Sequence, residues 1–149
     1  MSDELTMINL RDGRVHALAR PVNLKNQSIG VIRRFAPDAF LSRPVHDTTK
    51  GTVALMAPSA ESVAAMHEPA WPRWVVLPRW RAKAETQLTP LAPGETFMHL
   101  ADNAMNYHIL ADRGFAALGR LIDGAAGFQF EYSDLDEAMA AFDALEASA

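Results

Sequence analysis

Apolar and polar positions alternate through Leu5-Thr6-Met7-Ile8-Asn9-Leu10, pause at Asp12-Gly13, and resume as Val15-His16-Ala17-Leu18 before Pro21. Alternation on both sides of an Asp-Gly pair predicts a β-hairpin with one face turned to a core. Beyond Pro21, Ile29, Val31, Ile32 and Phe35 define a short helix, with Asn26 or Ser28 placed to cap it and Pro37 to end it. Residues 36–50 read as a loop, punctuated by Pro37, Asp38, Pro44, Asp47 and two threonines. Gly51-Thr52-Val53-Ala54-Leu55-Met56 then reads as a buried strand closed by Pro58.

Ser59 to His67 has room for one or two helical turns, which the prolines of Glu68-Pro69-Ala70-Trp71-Pro72 stop. Arg73-Trp74-Val75-Val76-Leu77 is a strand by its β-branched and aromatic content, and Pro78 assigns it to an edge or a bulge. A weaker strand at Thr86–Leu91 is its expected partner. Phe97, Leu100, Ala101, Ala104 and Met105 follow helical spacing, so one helix is expected from Thr96 to about Leu110 and another over Arg113–Ile122, ending at Gly124. Gly127–Tyr132 alternates as a strand. Ser133 is then the expected N-cap of a last helix, with Asp134, Asp136 and Glu137 in its first turn and Leu135, Met139, Phe142 and Leu145 as its core-facing stripe. This order predicts an α/β fold, with α+β as the alternative: a mixed sheet with flanking helices in a single domain over residues 1–149, since no linker or repeat divides the chain.

Composition narrows the function classes. The chain has 149 residues, 49% hydrophobic and 21% charged, which is globular rather than disordered. Charged residues, His or Pro interrupt every apolar run before the roughly 18 residues of a membrane span. The amino-terminal residues have neither the basic nor the apolar region of a secretory signal, so no membrane association and a cytoplasmic location are expected. With no cysteine there is no disulfide, thiolate metal site or cysteine nucleophile. A net charge of −4 argues against nucleic acid as a partner, because Arg73, Arg79, Arg81 and Lys83 alternate along a strand instead of forming a stripe. The five histidines are dispersed, with no zinc-binding spacing, and no serine sits in a nucleophile elbow.

Three stretches carry candidate chemistry. Lys25-Asn26 before a short helix offers a cation and a helix N-terminus to a phosphate, or else an exposed lysine and a plain cap. His46-Asp47-Thr48-Thr49-Lys50-Gly51 combines polar groups with a permissive glycine, as a nucleotide or substrate loop does and as an ordinary turn also does. Arg73 and Arg79 flank the Trp74–Leu77 strand, where they either reach a phosphate or carboxylate or serve as edge charges.

Four stretches together carry a resemblance to a known family. They are Arg20-Pro21-Val22-Asn23-Leu24-Lys25-Asn26-Gln27-Ser28-Ile29, Asp47-Thr48-Thr49-Lys50-Gly51-Thr52-Val53-Ala54, Pro72-Arg73-Trp74-Val75-Val76-Leu77-Pro78-Arg79-Trp80 and Phe130-Glu131-Tyr132-Ser133-Asp134-Leu135-Asp136-Glu137-Ala138. In that order they resemble the C-terminal part of the HPr-related kinase A family, relatives of HPr kinase/phosphorylase with a phosphoenolpyruvate-carboxykinase-like P-loop fold. The resemblance implies an ATP-dependent protein serine kinase using ATP and Mg²⁺, with a phosphoacceptor protein as partner. It implies Asp3 as the carboxylate that holds the metal or takes the substrate proton, with Glu4 beside it. With that resemblance, the three candidate stretches are expected to place Lys25, Asn26, Thr48 and Lys50 at the nucleotide, and Asp47, Arg73 and Arg79 at the substrate, and it adds weight to the Asp47–Lys50 loop.

The sequence departs from that family in one large respect: no G-x-x-x-x-G-K-[ST] loop occurs in it. Phosphoryl transfer depends mostly on positioning and electrostatics, so a chain without the phosphate cradle is expected to be inactive alone. The expectation is therefore a partial kinase domain that needs a complementing P-loop fragment, or that pairs as a homodimer to cover an exposed sheet edge. The alternative is a non-catalytic protein- or peptide-binding module on a kinase-like scaffold.

Overall fold

The structure is a computed structural model that describes residues 5–148. Asp3 and Glu4 lie outside the described residues. The chain groups into two compact units: residues 5–9 with Arg14–Ala70, and Leu10–Gly13 with residues 71–148.

In the first unit, the expected hairpin forms as β1 (Met7–Ile8) and β2 (Val15–His16), with Met7 opposite His16. A second sheet holds β3 (Val22–Lys25), β4 (Val45–Thr48) and β5 (Gly51–Met56) in the order β3-β5-β4, all antiparallel. The central place of β5 explains its apolar run: Ala54 is almost completely buried, and it joins Leu24 and Ile29 in a core edged by Val22, Ile32, Leu41 and Met56. β4 falls inside the segment expected to be loop. Its Val45, His46 and Asp47 are all exposed, so pairing with β5 alone, without an apolar alternation, makes it a strand. The helix α1 (Gln27–Phe35) turns Ile29 inward and ends as the Ala36 N–H donates to the Ile32 carbonyl, just before Pro37. α2 (Ala60–Ala64) continues into a 3-10 turn at Ala65–His67, with Ser59 Oγ accepting from the Ser62 N–H at 3.1 Å as its cap.

The second unit contains β6 (Trp74–Trp80), β7 (Gln87–Leu91), α3 (Pro93–Asn103), α4 (Tyr107–Leu110), α5 (Asp112–Gly124), β8 (Ala126–Tyr132) and α6 (Leu135–Ala147). Its sheet is mixed. β8 lies between the other two strands, parallel to β6 and antiparallel to β7. The Thr86–Leu91 strand therefore pairs with β8 and not with its neighbour in sequence. Proline accounts for the order: Pro78 and Pro90, opposite Phe130 and Phe128, have no N–H to give to a second neighbour, so β6 and β7 occupy the edges. β8, without proline, takes the centre. Both faces of β8 are used. Gly127 packs against Thr96 of α3, leaving no space for a side chain, while Phe130, on the opposite face, meets Phe142 of α6 at a ring distance of 5.2 Å.

The helix expected from Thr96 to Leu110 is two helices. α3 begins three residues earlier, with Pro93 in its first turn where a missing N–H does no harm, and it closes at Asn103, whose Nδ2 donates to the His99 carbonyl at 2.8 Å. The stripe of α6 holds in part: Ala138 is buried, Leu135 and Leu145 are half-buried, Phe142 packs on Phe130 while its outer edge stays exposed, and Met139 faces solvent. The elements and the mixed sheet make an α/β or α+β fold, as their order along the chain predicts. Among the described residues, no helix is long and apolar enough to cross a membrane.

Candidate functional site

One end of the β3-β5-β4 sheet gathers five of the residues singled out in the sequence: Lys25, Asn26, Asp47, Thr48 and Lys50. Lys25 is the last residue of β3 and stands opposite Val53, while Lys50 precedes β5 by one residue. Lys50 lies three positions before Val53, so the two lysine backbones are brought within roughly 10 Å along the strand direction. The link between these segments is Asn26. Its N–H donates to the Thr52 carbonyl at 2.8 Å, and its Oδ1 accepts from the Thr52 N–H at 3.0 Å.

The hydrogen bond that Asn26 Oδ1 accepts from Thr52 explains why Asn26 does not cap α1 with its side chain. It occupies the N-cap position at φ 50° and ψ −118°, outside the left-handed helical region and in a conformation suited to glycine. Ser28 holds the helix start instead, its Oγ accepting from the Lys25 N–H and donating to the Lys25 carbonyl, both at 2.8 Å. The first N–H groups of α1 therefore emerge beside Lys25 at the same sheet end, where a helix N-terminus favours negative charge.

The turn between β4 and β5 is built by Thr48 and Gly51. Thr48 Oγ1 donates to the Gly51 carbonyl at 2.6 Å and accepts from the Lys50 N–H at 3.1 Å. Gly51 lies at φ 81°, and a Cβ there would meet the Asn26 carboxamide, whose Cγ and Nδ2 would each be 3.1 Å away. Asp47, at φ 56°, sits where the β4–β5 register shifts. His46 Nδ1 lies 3.2 Å from Thr52 Oγ1, adding an imidazole to the same end.

These roles divide the candidates. Thr48 and Asn26 spend their polar atoms on the turn and on Thr52, so they shape the loop. Lys25 and Lys50 are exposed, with no side-chain partner among the described residues, and they lie at the same sheet end as the start of α1, where a helix N-terminus favours negative charge, and as Asp47, which opposes it. Ser28 and Thr52 complete the arrangement. Ser28 was legible only as an alternative helix cap, and the Asn26–Thr52 bond, spanning 26 positions, leaves no local signal in the sequence.

Arg73 and Arg79 belong to the second unit and are not brought together. Both lie on or beside β6, six residues apart, about 20 Å at strand rise. The Arg73 guanidinium lies over the Trp74 ring at 5.3 Å, and its carbonyl accepts from the Ala126 N–H at 3.0 Å. Arg79 is exposed in register with Glu131, which itself forms an ion pair with Arg81 at 3.0 Å. These placements are those of edge-strand residues.

Among the described residues, no group of three or more His, Asp or Glu suited to holding a metal ion occurs. No phosphoryl-transfer step is assigned to them. Comparison with protein-family models, with curated proteins and with solved structures finds no significant match for this chain.

Proposed function

We propose that this chain is part of an HPr-kinase-like serine kinase domain that does not turn over ATP alone, and that the end of its β3-β5-β4 sheet contributes an anion-binding loop. The observation that carries the reading is the gathering of Lys25, Asn26, Asp47, Thr48 and Lys50 at that end. A second observation supports it: the four stretches that resemble the family pair two by two. Arg20–Ile29 supplies β3 against the β5 of Asp47–Ala54, and Pro72–Trp80 supplies β6 against the β8 that runs into Phe130–Ala138. Under this reading Asp3 and Glu4 supply the catalytic carboxylates, a complementing P-loop fragment or a second copy of the chain completes the nucleotide site, and a phosphoacceptor protein is the substrate in the cytoplasm.

A specific observation favours a second reading, a non-catalytic protein- or peptide-binding module. Phe40 in the first unit and Trp71, Trp80, Met105, Ile109 and Phe115 in the second are each more than 60% exposed, large apolar side chains facing solvent.

Isothermal titration with Mg·ATP tests the first reading, run on the chain, on Lys50→Ala and on Asp3→Ala. The expected result is weak binding that Lys50→Ala reduces at least several-fold, with turnover restored only when a P-loop-bearing fragment is added. Absence of binding at millimolar nucleotide, and of turnover with the added fragment, overturns it. A protein complex that forms with equal affinity in Lys50→Ala would then mark the second reading.

A further inference from the structure

We draw no further inference here: the strongest candidate, the exposed apolar side chains Met98, Met105, Ile109 and Phe115 around α3, α4 and α5 of the second unit, carries nothing because nothing in the structure shows what covers them.

Discussion

Gly51 stands where two demands meet. The backbone leaves the β4–β5 turn in the left-handed region, and the Asn26 carboxamide fills the space that a side chain would need. Thr49 and Lys50, between the two strands, have no positive φ, so the left-handed backbone of this turn falls on Asp47 and Gly51. Gly51→Ala is expected to destabilise the first unit by about 1–3 kcal/mol, from the left-handed conformation and the displaced Asn26 together. Urea unfolding followed by far-ultraviolet circular dichroism measures it, and a loss below about 0.5 kcal/mol would show that the turn relaxes freely. Ala111 presents the reverse case. At φ 46° and ψ −123° it joins α4 to α5 in a conformation suited to glycine, with no side-chain bond in compensation. Ala111→Gly should therefore raise stability by roughly 0.5–2 kcal/mol, the strain relieved exceeding the entropy that glycine adds to the unfolded chain. A lower melting temperature would contradict it. The glycine at position 51 is legible in the sequence as a turn signal, but the alanine at 111 gives no warning, because its conformation is imposed by the helices on either side.

The start of α6 shows how closely an element can be read and where the reading slips. Ser133 is the cap expected from the sequence, with Asp134 in the first turn, although both residue types cap well. Asp134 takes the role, its Oδ1 accepting from the Asp136 and Glu137 N–H groups at 2.9 and 3.2 Å, while Ser133 Oγ donates to the Ala84 carbonyl at 2.8 Å. Asp134→Ala should cost about 1 kcal/mol and speed amide exchange at Asp136 and Glu137, whereas Ser133→Ala should leave those amides protected. Equal exchange in the two variants would refute this division. α5 was legible because its periodic positions bury one face, and β8 because its aromatic residues alternate with Gly127, Gln129 and Glu131. β4 was not, since its outward residues carry no alternation, and neither was the partner of β7, which depends on proline content in two strands more than on adjacency. The same limit applies to the candidate site: Lys25-Asn26 and the Asp47–Lys50 loop could each be noticed as chemistry, but only the strand pairing places them together.

All three tryptophans, at positions 71, 74 and 80, belong to the second unit. Tryptophan emission therefore follows that unit alone, while circular dichroism follows both. In the Gly51→Ala variant the dichroism transition should move to lower urea and the emission transition should stay in place; a joint shift would show that the two units unfold as one. The two outer strands of the second unit's sheet carry a further consequence. A Trp-Val-Val-Leu run at a sheet edge is the kind of segment that recruits copies of itself into cross-β stacks during synthesis or at high concentration. Pro78 and Arg79 follow that run directly, and Pro90 interrupts the opposite edge, so each rim carries its own gatekeeper against fibre growth.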